Sequence, residues 1–496
     1  MTNFGPDLPI ESGFLVAGEW IGAGERVPIR SPYDGREIGL TWLASQKQLE
    51  AAIVAAVKAS RELREMPSFK RKEILLRIAD AIRGHAEIFA RLMVLEAGKP
   101  VKAARIEVDR AVLTFTTAAE ESIRIYGEYL PLDFIPASEG RWGIVRRFPV
   151  GAIAAITPFN FPLNLVAHKI APAIAAGCPV VLKPAPQTPF CSLLLAKLIL
   201  EAGWPASALS VVPLTDQDAG LLVADDRIKV LSFTGSAAVG WQLKRNAGKK
   251  RVLLELGGNA AVIVHGDAEL DQAVARCVSG AFTYAGQSCI SVQRILVDRR
   301  IFDEFIAHMV DTTAQLKTGD PADEKTDVGP MIRSSDVARV EQWIQEAVSG
   351  GAKLLCGGKG KGSIFQPTLL SATAPRMKVN SEELFGPVAT IEPYEEFDAA
   401  LDEVNQTRYG LQAGLFTKDA RLIFRAFDKL EVGGVIVGDV PTFRVDPMPY
   451  GGVKDSGLGR EGIRYAIEEI TERKLLVMSG FSGLPSRGAL DAGDRH

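Results

Sequence analysis

Cys289 stands in FTYAGQSCIS, residues 282–291, among small and uncharged neighbours. No histidine is adjacent, and no second cysteine sits at metal-ligand spacing. Such a thiol is either a small buried hydrophobe or a nucleophile whose activating partners come from elsewhere in the chain.

Upstream stretches carry groups that suit the second role. LLELGGN, 253–259, sets Glu255 between leucines at a strand end. A carboxylate there is costly unless paired or used, and partial burial would lift its pKa toward that of a general base. An ion pair with Lys249 or Lys250 is the structural alternative. TPFNFPLN, 157–164, offers Asn160, whose amide could donate to charge developing on a substrate oxygen. Beside Pro158 and Pro162, the local pattern favours a helix cap or turn for it. FTGSAAVG, 233–240, follows a strand and opens a helix, so its N–H groups could face a phosphate. It is not a P-loop, because Trp241-Gln242 stand where Lys and Ser/Thr are needed, and it is not G-x-G-x-x-G.

The elements that must position these groups follow from periodicity. Residues 46–125 repeat apolar positions every three or four residues, and RKEILLRIADAIRGHAEIFARLMVLEAGK reads as one helical run ending at Gly98 and Pro100. Residues 129–148 break into shorter runs and predict a hairpin-like excursion. From 149 onward, buried strands (PVGAIAAITP, PVVLK, ALSVVP, KVLSF) alternate with helices (NLVAHKIAPAIAAG, FCSLLLAKLILEAG, DAGLLVADD, AAVGWQLKRNAG). That rhythm predicts an α/β parallel sheet covered on both faces, with ligands beyond the carboxyl ends of its strands. A second α/β lobe is expected over 258–455, with strands at SVQRILV, EEL–FGPVATIEPY and GGVIVGD. The Gly/Ser/Ala-rich tail 483–496 is expected to be disordered.

Bulk properties narrow the function. Over 496 residues, 47% hydrophobic and 24% charged composition is that of an ordinary globular chain of several lobes. A net charge of −3 without a long basic run leaves no electrostatic footprint for nucleic acid or an anionic membrane. Cys178, Cys191, Cys277, Cys289 and Cys356 are scattered and form no C-x-x-C, against a disulfide framework or a metal site. The acidic, proline-bearing N-terminus does not read as a signal peptide, and no apolar run is long enough to span a membrane. A cytoplasmic enzyme acting on a small molecule is the expectation.

The ordered set TPFNFPLN, VVLKPAPQTP, FTGSAAVG, LELGGN, FTYAGQSC, EELFGPV and PYGGVKDSGLGREG resembles the NAD(P)-dependent aldehyde dehydrogenase superfamily from about residue 12 to 480. Within it the chain is similar to the lactaldehyde and non-phosphorylating glyceraldehyde-3-phosphate dehydrogenase-like branch. The resemblance implies an aldehyde dehydrogenase-like fold. Its Rossmann-type NAD(P)-binding domain would span 1–128 and 149–257, its catalytic domain 258–455, and a β oligomerisation element 129–148 and 470–482.

It also implies roles. Cys289 would attack the aldehyde carbon, Asn160 would donate to the oxyanion, and Glu255 would activate the water that hydrolyses the thioester. Lys169 and Glu461 sit where relatives keep charged groups behind that base, as a proton relay or as a structural ion pair. Lys183 would meet the adenosine ribose, Gly235 and Ser236 the pyrophosphate, Glu383 the nicotinamide-side ribose, and Phe385 the ring. Thr157, Pro158, Phe159, Leu256 and Gly257 would border the same cofactor. Pro186 replaces the glutamate with which NAD-preferring relatives often read the ribose 2′-OH, so NAD is expected and NADP is possible.

Arg110 and Arg444 fall in segments that build the substrate pocket and could bind an anionic or hydroxylated tail. The alternative is salt bridges, Arg110 with Glu107 or Asp109 and Arg444 with Asp446. Glu255 favours a free acid as product; a CoA-acylating or other thioester-forming acyltransferase is the alternative. A homodimer or homotetramer is implied, and no metal.

Overall fold

The computed structural model describes Phe4 and residues 9–479, so the expectation for the tail 483–496 lies outside the described residues. Short Val/Ile/Ala/Leu runs with no polar face can be satisfied only in the middle of a sheet, and they form one. Its eight strands lie in the order Gly457–Leu458, Arg251–Glu255, Val230–Thr234, Ile153–Ile156, Val180–Lys183, Leu209–Val211, Phe14–Val16, Glu19–Ile21. The strands from Arg251–Glu255 to Leu209–Val211 pair in parallel, and antiparallel pairs flank them at both edges. Register aligns the strand ends that matter: Ile156 lies opposite Lys183 and Phe233, and Thr234 opposite Glu255.

The helix Asn164–Ala176 is buried along its whole length. A helix enclosed all round must read apolar all round, and NLVAHKIAPAIAA does, apart from Asn164, His168 and Lys169. Those three side chains must therefore find partners inside the protein.

The second lobe has a seven-stranded sheet in the order Lys353–Cys356, Thr368–Ser371, Val388–Tyr394, Val292–Asp298, Ala260–Val264, Gln412–Phe416, Gly434–Val437, parallel except at the first pair. Only Leu256 to Asn259 separate Glu255, at the end of one sheet, from Ala260, at the start of the other. After residue 455 the chain returns to the first lobe, where Ile463, Ile467 and Ile470 join its core. A three-stranded antiparallel sheet (Glu128–Pro131, Trp142–Pro149, Thr471–Met478) stands apart from both.

Two element expectations need correction. The helical run predicted as continuous breaks at His85 (φ −113°, ψ 20°) into Ser68–Gly84 and Ala86–Ala97. Glu382–Phe385 is not strand: the strand starts at Val388, and Phe385 takes φ 47°, which no extended strand permits.

Candidate active site

Three adjacent strands of the first sheet deliver their carboxyl ends to one place, and the loop before Val292–Asp298 of the second sheet closes over them. Between them lies a cavity of about 220 Å³ bordered by Asn160, Glu255 and Cys289.

The cysteine loop is held in a strained shape. Tyr284 and Ala285 take consecutive left-handed conformations, φ 53° and 54°. This costs L-residues roughly 1–2 kcal/mol each, so contacts must over-determine it. The Tyr284 hydroxyl donates to the Ala97 carbonyl at 2.9 Å. Buried Gln287 donates to the carbonyls of Tyr284 and Pro330 and accepts the Ile332 N–H at 2.8 Å. Gly258 passes so close behind that a Cβ there would collide with the Cys289 carbonyl oxygen.

Asn160 does not cap the helix that follows it. Buried Glu107 does, accepting the N–H groups of Leu163 and Asn164 at 3.0 Å each and pairing with buried Lys99. The Lys99 ammonium in turn lies over the rings of Phe161 (3.7 Å) and Tyr284 (4.5 Å), tying the asparagine loop to the cysteine loop. The Asn160 side chain is thereby free to turn inward, where Nδ2 donates to the Gln287 carbonyl at 3.1 Å. That bond uses one of its two amide hydrogens, and Asn160 and Cys289 border the same cavity.

Glu255 has no ion pair among the described residues. Lys250 turns instead to Asp226, and Glu255 Oε2 is buried without a hydrogen bond. Burial, then the nearby charge of Glu461, pushes the Glu255 carboxyl well above its usual range. Burial also works against Glu461, yet His168, Lys169 and Arg444 outweigh it and hold that carboxyl down at about 2. Lys169 reaches Ser232 at 3.0 Å and Glu461 at 3.7 Å. These groups meet around a second, smaller cavity of about 20 Å³ behind Glu255. One carboxyl thus keeps its proton while its neighbour does not, which is the separation that acid–base work requires.

Both arginines singled out in the sequence line the main cavity, but with other partners than expected. Arg110 pairs with Asp446 at 2.8 Å, not with Glu107 or Asp109. Arg444 pairs with Glu461 at 2.9 Å, not with Asp446. Asp446 is fully engaged by Arg110, Asn164 and His168, which leaves Arg444 to the other carboxylate.

The residues expected at a dinucleotide fit one. Ser236 stands at the N-terminus of the helix Ala237–Asn246 without capping it, which leaves that helix end open to an anion. Thr234 Oγ1 is buried without a partner. Glu383 accepts the Gly258 N–H at 3.0 Å, and burial raises its carboxyl to about 7. A Cβ on Gly257 would strike the Glu383 carboxylate. Phe385 meets Phe159 edge to face with centroids 6.0 Å apart.

Of the residues expected from sequence, Pro158, Phe159, Asn160, Gly235, Ser236, Leu256 and Gly257 line the main cavity. Glu255, Cys289, Glu383, Phe385, Arg110, Arg444 and Glu461 line it as well. Lys169 borders only the small cavity behind. Thr157 and Lys183 are buried at the adjoining strand ends, joined by a Thr157 N–H to Lys183 carbonyl bond of 3.2 Å, and Pro186 is exposed beyond them. Tyr450 was missed: its hydroxyl lies 3.1 Å from Cys289 Sγ. Gln287 and Glu107 were missed as supports; a glutamate inside the apolar face of a helix was the available signal for the second.

The sequence profile described as "Aldehyde dehydrogenase family" matches residues 20–476. The 3-sulfolactaldehyde dehydrogenase of Priestia megaterium is 43% identical over 468 residues, covering 94% of this chain and 98% of that one. Aldehyde dehydrogenase 21 from Physcomitrella patens, crystallised with the reaction product succinate, has a TM-score of 0.95 at 43% identity, over 96% of this chain and 100% of its own. The glyceraldehyde-3-phosphate dehydrogenase GapN from Methanocaldococcus jannaschii, complexed with NADP, has a TM-score of 0.89 at 39% identity, over 92% and 100%. Profile match and full-length likeness agree with the cavity that joins a thiol, an amide and a proton-holding carboxyl: the chain belongs to the aldehyde dehydrogenase family and is an NAD(P)-dependent enzyme that oxidises an aldehyde to a carboxylic acid.

Proposed function

We propose that the substrate is a small hydroxylated aldehyde with an anionic tail, and that Cys289, Asn160 and Glu255 carry the chemistry. The carrying observation is that one cavity presents the thiol and the amide together with the guanidinium groups of Arg110 and Arg444. Arginine is suited to a planar carboxylate or to a sulfonate or phosphate. The relatives named for sulfolactaldehyde, for a succinate product and for glyceraldehyde 3-phosphate point the same way.

In this reading the Cys289 sulfur adds to the aldehyde carbon, and the free amide hydrogen of Asn160 and the Cys289 N–H receive the oxyanion. Bound nicotinamide supplies the hydride acceptor. Cys289 is then left as a thioester. Glu255 takes a proton from the water that attacks it, and the free acid leaves. Lys169 and Glu461 set the field that separates the two carboxyl pKa values. Lys183, Ser236 and Glu383 would hold the dinucleotide at its adenosine ribose, pyrophosphate and nicotinamide ribose.

An absorbance assay for NAD(P)H tests the proposal on lactaldehyde, 3-sulfolactaldehyde, succinate semialdehyde, glyceraldehyde 3-phosphate and a neutral aldehyde of equal length. Higher kcat/KM for the anionic members is expected. A preference for the neutral one would overturn the substrate class, and NAD(P)H formed only in the presence of CoA, with acyl-CoA instead of free acid as product, would favour the acyltransferase.

We further propose a cytoplasmic homo-oligomer. The outer strand Thr471–Met478 exposes Leu475, Leu476 and Val477 by about half, on a sheet edge with unpaired backbone groups. No described helix is long and apolar enough to cross a membrane. Sedimentation is expected to give a dimer or tetramer; a stable monomer would contradict it.

A further inference from the structure

We infer that Tyr450 is a further catalytic residue, whose phenol donates a hydrogen bond to Cys289 as the thiol becomes a thiolate. The inference rests on Cys289 being the nucleophile. Among the described residues, the Tyr450 hydroxyl at 3.1 Å is the one hydrogen-bond partner of Sγ.

The phenol is built into place. Tyr450 is buried, and its backbone exchanges hydrogen bonds with Glu461, N–H to carbonyl at 3.0 Å and carbonyl to N–H at 2.6 Å. The Arg444 guanidinium covers the ring face at 3.7 Å. Ile290 and Leu411 pack with the ring, and Cys289 packs against the same cluster. A phenylalanine would fill this space and keep the cation above its face. The hydroxyl is therefore the part that packing does not explain.

The groups facing the thiol act in both directions. Burial first, then the charges of Glu383 and Glu255, push the Cys289 thiol up, and the balance lies at about 12. Tyr450 and Arg444 oppose them. Burial likewise keeps the Tyr450 phenol protonated, well above its usual value. In the resting pair either atom can donate, whereas after ionisation only the phenol can. The bond then becomes charge-assisted, so it strengthens as the nucleophile forms and favours the reactive state over the resting one. The phenol keeps its proton throughout, and the thiol proton passes to solvent water.

The test is alkylation of Cys289 by iodoacetamide in the full-length protein, from about pH 6 to about pH 10. Cys289→Ala serves as the blank for the other cysteines. Tyr450→Phe is expected to slow alkylation ~10-fold throughout this range, where the rate follows the small thiolate fraction of a thiol held up at about 12. An unchanged rate, or faster alkylation at every pH, would overturn the inference and leave Tyr450 as a wall. Should Tyr450→Phe not fold, 3-fluorotyrosine placed at position 450 is a stronger donor and must speed alkylation; no change would overturn the inference. Turnover surviving in Cys289→Ala would instead remove the nucleophile assignment itself, a failure distinct from that of Tyr450.

Discussion

Glu255 and Glu461 border the same small cavity and hold their protons in opposite ways. Glu461 is pinned as an anion by the cations around it, whereas burial and the charge of Glu461 itself keep Glu255 protonated far above its ordinary value of 4.5. A carboxyl accepts a proton only after losing its own. Hydrolysis of the thioester is therefore expected to accelerate as pH rises until Glu255 ionises. Glu255→Gln should abolish that rise and leave acyl-enzyme accumulating in a rapid-mixing experiment. Stability carries the opposite sign: above pH 4.5 the unfolded chain loses this proton while the folded chain keeps it, so stability falls with rising pH up to the folded pKa. Thermal melts of Glu255→Gln should show a shallower decline, since Glu383, raised to about 7, still contributes its own.

Asn160 spends one amide hydrogen on the Gln287 carbonyl, and in the proposed mechanism the other serves the oxyanion. Asn160→Ala is expected to lower kcat by ~10²–10³-fold with little change in KM, the usual consequence of losing one oxyanion donor. Because the same amide braces the cysteine loop, iodoacetamide alkylation of Cys289 is the control. A variant that loses turnover and alkylation together has lost the loop, which would leave the oxyanion assignment without support.

Arg110 is the cleaner of the two arginines to remove, since Asp446 still keeps Asn164 and His168 as partners. Arg444→Ala would also free Glu461 and disturb the field on Glu255. Arg110→Ala should raise KM for an anionic aldehyde ~10-fold or more, the scale of one hydrogen bond to a charged group, and leave a neutral aldehyde of equal length nearly unchanged. Equal losses on both substrates would exclude tail recognition.

Much of the site was legible because strand ends announce themselves. Glu255 and the FTGS turn each follow a β-branched or leucine-rich run, and a parallel sheet gathers such ends on one edge. What stayed hidden was every contact between residues far apart in the chain. The cap on Asn164 comes from Glu107, on a different helix, so local pattern alone assigned it to Asn160. The arginine partners were exchanged for the same reason, because Asp446 is near Arg444 in sequence but meets Arg110 in space. Tyr450 stands in the motif PYGGVKDSGLGREG, and nothing local reveals that its hydroxyl reaches Cys289. Gly451, read only as motif, has a physical reason: a Cβ there would come within 2.9 Å of Glu255 Oε1.

Cofactor preference is expected to turn on a carboxylate that the sequence motif lacks and a neighbouring helix brings to Lys183. Pro186 removes the usual acidic reader, but Asp216, the first residue of the helix Asp216–Ala224, brings its carboxylate to 3.8 Å from the Lys183 ammonium. A ribose 2′-hydroxyl can donate to a carboxylate there, whereas a 2′-phosphate would be repelled. NAD is therefore expected to be preferred, and Asp216→Ser should raise kcat/KM with NADP relative to NAD by ~3–10-fold, most at low ionic strength, where this exposed charge is least screened. The ratio measured with both cofactors decides it. A wild-type enzyme that prefers NADP, or a ratio indifferent to Asp216, would leave Asp216 without a part in cofactor choice.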